Sequence, residues 1–301
     1  MTHTGRFRVF IPEPEWPEAH GILEEVAEVV VGDPGVRYGE DALVEILGDF
    51  DAVIITSQHR VSRRVIEASP RLRVIGKYGS KPGIDNVDLA AATERGIPVV
   101  YSHEANSDSV AEFTVGLILC LLKRICLLDR ATRQGLWRTE LLANRANFAH
   151  ELRGKTVGII GLGAIGRRMA RLLQPFGVRL LGYDPYVRGE LLSGLGVTLV
   201  DDLDELLRES DVVTIHATLT KETYHMIGER ELRLMKPTAY LVNTARGAIV
   251  DEGALVDALR EGRIAGAALD VFEVEPPPRD HPLPQLENVV VTPHFASCTT
   301  E

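Results

Sequence analysis

Three side chains in the second half of the chain have the types needed to move a proton beside a bound anion: Arg246, Glu275 and His294. They follow short apolar runs that read as buried strands, Tyr240 to Asn243, Ala265 to Leu269 and Val289 to Thr292. In an open parallel sheet such strand ends face the ligand crevice. An Arg guanidinium can clamp a carboxylate and an adjacent carbonyl oxygen with its planar fork of donors, which Lys cannot do. An imidazole can give or take a proton near neutral pH, and a carboxylate beside it fixes its tautomer and favours its charged form. A nicotinamide ring against these groups would complete hydride transfer, the cofactor supplying the chemistry and the protein supplying position and charge.

A place for such a cofactor lies upstream, in Lys155-Thr-Val-Gly-Ile-Ile-Gly-Leu-Gly-Ala-Ile-Gly-Arg167. Thr156 to Ile160 reads as a strand buried on both faces. Gly161, Gly163 and Gly166 follow in the spacing G-x-G-x-x-G, and Arg167 to Gln174 carries apolar residues at helical spacing. Strand, glycine turn and helix in that order form a mononucleotide-binding unit. The first glycine permits the turn, the second lets a pyrophosphate approach the backbone, and the third lets helix and strand pack closely. A second strand, Arg179 to Tyr183, ends in Asp184, 18 residues past Gly166. A carboxylate there suits the adenosine ribose hydroxyls and repels a 2′-phosphate, so the expected cofactor is NAD. Thr218, after the strand Val212 to His216, is a further strand end expected to face it.

At 301 residues two domains of ordinary size are expected. Hydrophobic residues at 45% and charged residues at 25% describe a folded, water-compatible chain. A net charge of −10 argues against nucleic-acid or anionic-membrane partners, while leaving room for a local basic pocket. The longest apolar run, Val115 to Leu122, is far short of a bilayer span of about 20 residues. Cys120, Cys126 and Cys298 have no metal-site spacing, so no zinc or other metal and no disulfide are expected, and reduced thiols suit a cytoplasmic location.

The first hundred residues alternate short strands and helices, including strands at Arg8 to Ile11, Ala52 to Thr56 and Leu72 to Ile75, and predict a second, smaller parallel sheet. After Leu72 to Ile75 comes a glycine-rich loop, in which Lys77, Tyr78, Gly79, Ser80 and Lys81 are candidate substrate contacts. Two lysines and exposed backbone N–H groups there would attract an anion. From Ser107 or Ser109 a long apolar helix with a serine cap is expected to run past Arg130. Gly135 to Leu152, with Trp137, reads as an irregular arm for a partner chain.

With these residues in hand, the sequence resembles the D-isomer-specific 2-hydroxyacid dehydrogenase family. The resemblance is carried by Val157-Gly-Ile-Ile-Gly-Leu-Gly-Ala-Ile-Gly166, Leu234-Met-Lys-Pro237, Leu241-Val-Asn-Thr-Ala-Arg-Gly247, Gly266-Ala-Ala-Leu-Asp-Val-Phe-Glu-Val-Glu-Pro276 and Thr292-Pro-His294. Gly83-Ile-Asp-Asn-Val-Asp88 and Ser107-Asp-Ser-Val-Ala-Glu112 add to it. It implies an α/β fold of two domains, a Rossmann-type NAD-binding domain (104–290) inserted into a flavodoxin-like substrate domain (1–103), with 291–301 returning toward the latter and a cleft between the two. It implies that Arg246 orients the substrate carboxylate, that His294 is the general acid/base, and that Glu275 pairs with it, leaving Glu273 on the surface. It implies NAD contacts from Ala164, Ile165, Asp184, Thr244 and Asp270, and with the glycines, Thr218, Ala245 and Ser297 these make the expected cofactor set. A homodimer built on 107–150 is a further implication. The loop at Gly79 to Gly83 is longer than the family's usual turn, and the family usually continues past the position of Glu301 with a helix, leaving open both the substrate and whether the chain is shortened. An NAD-sensing corepressor and a phosphite-type dehydrogenase stand as alternatives.

Overall fold

The computed structural model describes residues 6–13, 17–56, 58–78, 86–102 and 104–300. The chain divides into two compact units, Met1–Ala105 and Asn106–Glu301. The α/β class is as expected, and both sheets are parallel throughout their ladders.

The first unit alternates β1 (Phe7–Ile11), α1 (Pro17–Glu24), β2 (Ala27–Val31), α2 (Glu40–Ile46), β3 (Ala52–Ile55), α3 (Arg63–Ala68), β4 (Val74–Lys77), α4 (Leu89–Glu94) and β5 (Val99–Tyr101). The sheet order is β2-β1-β3-β4-β5, a doubly wound arrangement of the flavodoxin type. Its core joins Phe10, Val53, Ile55 and Ile75 from the strands to Leu43, Val65 and Ile66 from the helices. Strand β4 lies two residues later than its apolar run suggests. Pairing of Ile55 with Lys77 carries the ladder through the lysine, which is buried.

The second unit opens on helices α5 (Ser107–Leu122), α6 (Ile125–Arg133) and α7 (Arg138–Leu142). The long helix expected past Arg130 is therefore two helices. Lys123 closes α5, and Arg124 takes a left-handed conformation with φ 54° before α6 begins. The cap also differs: Asn106 precedes α5 without a side-chain cap, and the Ser107 hydroxyl is buried with no hydrogen-bond partner among the described residues. The arm expected to be irregular contains α7 and a turn of 3-10 helix at Arg145–Asn147.

The sheet then assembles from β6 (Thr156–Ile160), α8 (Ala164–Leu173), β7 (Arg179–Tyr183), β8 (Val197–Leu199), α9 (Leu203–Glu209), β9 (Val212–Ile215), α10 (Glu229–Leu234), β10 (Tyr240–Asn243), α11 (Glu252–Arg260), β11 (Gly266–Leu269) and β12 (Val289–Val291). Its order is β12-β11-β10-β9-β6-β7-β8, so consecutive strands lead outward in both directions from the centre. The reversal falls between β6 and β9, the switch point at which doubly wound sheets hold their ligands. Strands β6, β9, β10 and β11 are buried along their whole length, which is why they read as unbroken apolar runs. Helix α5 packs on α8 and contributes Ala111, Leu117, Ile118 and Leu121 to the core on that face.

Candidate active site

The glycine turn sits at the switch point, and each glycine meets a different constraint. Gly161 has φ +89°, and a Cβ there would lie 2.6 Å from the Ala217 nitrogen, at the end of the neighbouring strand. Gly166 is in the first turn of α8, where a Cβ would lie 2.1 Å from the Gly161 carbonyl oxygen. Gly163 is exposed, and a Cβ there would meet nothing within 4 Å. Two positions are thus closed by backbone while the middle one faces open space, beside the first N–H groups of α8 that have no intrahelical acceptor. Half-buried Ala164 and Ile165 form that first turn.

Asp184 leaves β7 next to this turn. Its Oδ2 accepts from the Leu162 N–H at 2.8 Å and its Oδ1 from the Tyr186 N–H at 2.9 Å. The carboxylate is thereby fixed against the glycine turn with lone pairs to spare, as a grip on ribose hydroxyls requires. Open backbone at Gly163, a helix N-terminus behind it and a pinned carboxylate beside it fit a dinucleotide. Thr218 lies in the loop after β9, its carbonyl accepting from the Thr223 hydroxyl at 2.5 Å.

His216 was expected only as a strand end, yet it belongs to this site. Its backbone is what a Cβ on Gly161 would strike, and its N–H donates to the Ile160 oxygen at 2.7 Å. Nε2 pairs with the Thr214 hydroxyl at 2.9 Å, while Nδ1 is buried without a partner among the described residues. Burial pushes this imidazole down to about 3, so it is neutral at physiological pH. The clue in the sequence was a histidine ending a strand that pairs with the glycine-turn strand.

Arg246, Glu275 and His294 follow three adjacent strands. The ladder pairs Asn243 with Leu269 and Leu269 with Val291, so β10, β11 and β12 end level with one another. After β10, the buried Asn243 side chain braces the turn: Oδ1 accepts from Ala245 N at 3.0 Å and Nδ2 donates to the Arg246 oxygen at 2.9 Å. Buried Thr244 pairs with Thr114 of α5 at 2.9 Å. Because Thr114 already donates to the Val110 oxygen at 2.7 Å, Thr244 must be the donor between them.

After β11, Asp270 is 1% exposed and its carboxylate is taken up by the neighbouring loop. Oδ1 accepts from the Thr292 hydroxyl at 2.6 Å and from Phe295 N at 2.9 Å, and Oδ2 from Ala296 N at 2.9 Å. Its carbonyl accepts from His294 N at 2.7 Å. Asp270, placed by resemblance among the cofactor contacts, therefore holds the backbone of the His294 loop, and half-buried Ser297 follows directly on it. His294 itself adopts φ 56°, a left-handed conformation that costs on the order of 1 kcal/mol or more and needs such bracing.

The His294 Nδ1 lies 2.7 Å from Glu275 Oε2, and Glu275 Oε1 accepts from Phe272 N at 3.1 Å. Burial pushes the Glu275 carboxyl up, but His294, the Phe272 N–H and the Arg246 charge together outweigh it and hold it below its ordinary value. An ionised carboxylate only accepts, so the shared proton sits on Nδ1 and Nε2 is the nitrogen that can exchange a proton. Arg246 bears on the same carboxylate, so all three residues meet at this edge of the sheet.

In the first unit, Lys77 ends β4 with its ammonium 2.9 Å from the Tyr78 oxygen, and Tyr78 N donates to the Ile55 oxygen at 2.9 Å. Lys77 is buried and Tyr78 half-buried. Gly79, Ser80 and Lys81 lie outside the described residues. Glu273, expected on the surface, is exposed there, and its carboxylate pairs with His225 Nε2 at 3.1 Å.

A parallel sheet with a glycine turn at its switch point and an ionised carboxylate–imidazole pair along the same edge defines a dinucleotide-binding oxidoreductase domain. Residues 115–296, more than half of the chain, match the model of the D-isomer specific 2-hydroxyacid dehydrogenase NAD-binding domain. The chain belongs to that family, whose members are NAD-dependent oxidoreductases, and NAD is the cofactor of its binding domain. It is 43% identical over 295 residues to a D-3-phosphoglycerate dehydrogenase of Methanocaldococcus jannaschii, covering 98% of this chain but 54% of that protein, so the chain spans about half the length of that relative. It is 45% identical over 295 residues to a glyoxylate reductase of Thermofilum pendens, covering 97% of this chain and 84% of that one. The structure of a D-lactate dehydrogenase from Aquifex aeolicus, complexed with NAD and lactic acid, superposes with a TM-score of 0.83 at 31% identity, covering 97% of this chain and 90% of that chain.

Proposed function

We propose that the protein interconverts a D-2-hydroxy acid and its 2-keto acid with NAD as hydride carrier. The observation that supports this most is the 2.7 Å His294–Glu275 pair, with Glu275 held ionised partly by Arg246. NADH, when bound along the glycine turn, supplies the hydride that reduces the C2 carbonyl. Protonated His294 gives its Nε2 proton to the carbonyl oxygen, and Glu275 stabilises the imidazolium before that step and fixes the ring afterwards. In the reverse direction neutral His294 takes the hydroxyl proton. Arg246 binds the substrate carboxylate and, by the same positive charge, polarises the neighbouring carbonyl.

In this reading residues 1–103 form the substrate domain, 104–290 the NAD-binding domain, and 291–301 a return toward the first. Lys77 to Lys81 meet the substrate beyond its carboxylate. The named activities of the relatives favour small acids of the glyoxylate and phosphohydroxypyruvate kind. A homodimer built on 107–150 accords with exposed Trp137, Leu136 and Phe148, and free thiols accord with a cytoplasmic location.

The test is NADH consumption over glyoxylate, hydroxypyruvate, pyruvate and phosphohydroxypyruvate, with phosphite and NAD run in the opposite direction. Turnover of at least one keto acid, lost in His294→Ala and Arg246→Ala, is expected. Turnover that survives both substitutions rejects the assignment.

A further inference from the structure

Behind the His294–Glu275 pair lies a group of carboxylates and imidazoles with no part in proton transfer. Glu252, the first residue of α11, and Glu273 bond reciprocally: Glu252 N donates to Glu273 Oε1 at 3.1 Å, and Glu273 N donates to Glu252 Oε1 at 2.8 Å. His225 Nε2 lies 3.1 Å from the same Glu273 oxygen, with Asp251 3.9 Å from its Nδ1. His281 Nε2 lies 3.0 Å from Glu252 Oε2. The Leu283 N–H donates to His281 Nδ1 at 3.3 Å, so Nδ1 is the acceptor nitrogen and Nε2 carries the proton toward Glu252. The His281 ring also packs edge-on against Phe272, 5.7 Å between centroids.

These contacts converge on the Phe272–Glu273 peptide, and Phe272 is the residue whose N–H holds Glu275 Oε1. We infer that Glu252, Glu273 and His281 are positioning residues that fix this peptide and, through it, hold the Glu275 carboxylate against His294. The inference rests on the proposed role of Glu275 and His294 as the acid–base pair. Capping of α11 alone would not require it, because Asp251 already caps that helix through Ala254 N at 3.0 Å. Glu273 and His281 tie a loop to the helix rather than extending the helix. The charged groups bearing on the imidazole are Glu275, Arg246 beyond it and Asp270 beneath its backbone.

The test uses the full chain with NADH and the keto acid of highest turnover. In Glu273→Ala, kcat falls about 10- to 100-fold, the scale of a misplacement near 1 Å, while KM for NADH is unchanged. The loss falls on kcat and not on KM, because the carboxylate that places the proton donor has moved. Glu273→Gln, whose amide oxygen still accepts from Glu252 N, restores kcat. A merely structural loss would lower the yield of folded enzyme without lowering kcat per folded molecule, so a wild-type kcat in folded Glu273→Ala overturns the inference. If Glu273→Ala does not fold, His281→Ala takes its place with the same readouts. A low-field proton resonance of His294 Nδ1, assigned by its absence in His294→Ala, should be present in the wild type and lost in Glu273→Ala; a signal unchanged between the two also overturns it. A wild type that turns over no keto acid rejects the acid–base assignment instead, and the resonance alone then decides whether the brace exists.

Discussion

Gly247 is the point at which the Arg246 turn touches the Glu275 loop, and Gly247→Ala is the most direct test of how closely the two must fit. A Cβ there would lie 1.9 Å from the Phe272 carbonyl carbon, 2.2 Å from its oxygen and 2.3 Å from Glu273 N. All three are backbone atoms of a peptide whose N–H is held by Glu252, so no side chain can swing away. Moving from 1.9 Å to the 3.4 Å of an ordinary contact opens the gap by about 1.5 Å. A displacement of about 1 Å at reacting groups can cost on the order of 100-fold in rate, which corresponds to about 2.7 kcal/mol. Forced overpacking of this kind costs about 1–3 kcal/mol in stability. The expected result is kcat for the preferred keto acid lowered on the order of 100-fold, Tm lowered, and NADH affinity by fluorescence unchanged, since Gly161, Gly163 and Asp184 are remote in sequence and held by their own contacts. Wild-type kcat in a folded Gly247→Ala protein would refute the claim that Arg246 and Glu275 are set against each other through this contact.

Two further outcomes are expected. Asp184→Ser removes the acceptor of the Leu162 and Tyr186 N–H groups together with the charge that repels a 2′-phosphate, so the preference for NADH over NADPH, measured as a ratio of kcat/KM values, should fall at least roughly tenfold; an undiminished ratio would show that Asp184 does not set it. Glu275 has a folded pKa depressed from an ordinary value of 4.5, so it contributes stability that is present above the unfolded value and lost as pH falls through the folded one. Urea unfolding should therefore find the wild type more stable than Glu275→Gln at pH 7, with the gap closing below about pH 4.5, and a gap of constant size down to pH 3 would contradict it.

How much of this was legible in the sequence depended on whether a residue's role follows from its own type or from its neighbours. The central strands were legible because burial on both faces leaves no polar alternation, and the glycine spacing because only glycine fits at Gly161 and Gly166. Val197–Leu199 was not, since a three-residue edge strand with Thr198 and Leu199 exposed carries no apolar run. The break at Arg124 was hidden because the apolar spacing of α5 and α6 continues across it with no glycine or proline to mark the turn. Arg246, Glu275 and His294 were found by their chemistry, but Asn243, His216, Glu252 and His281 act through what they hold. Glu273 illustrates the difference: two residues from Glu275, it reads as a surface acid, and its reciprocal bonds with Glu252 give it a place.

Each functional side chain in the second unit stands on a strand end, and the strand ends are fixed before any loop is considered. The shared register of β10, β11 and β12 brings three loops to one edge, and backbone hydrogen bonds extend that register past the strands: Asp270 N donates to the Asn243 oxygen at 3.0 Å and Thr292 N to the Leu269 oxygen at 2.9 Å. From there the sheet no longer determines geometry, and buried polar side chains take over. Asn243 folds the Arg246 turn, Asp270 folds the His294 loop, and the Glu252–Glu273 pair folds the Glu275 loop. Each brace is a side chain bonded to backbone donors or acceptors of the loop it shapes, so removing one leaves backbone groups unpaired as well as a chemical group misplaced. That coupling explains how His294 can stay in a left-handed conformation that its own side chain disfavours. The strain is local, while the bonds that hold it come from the strand next door.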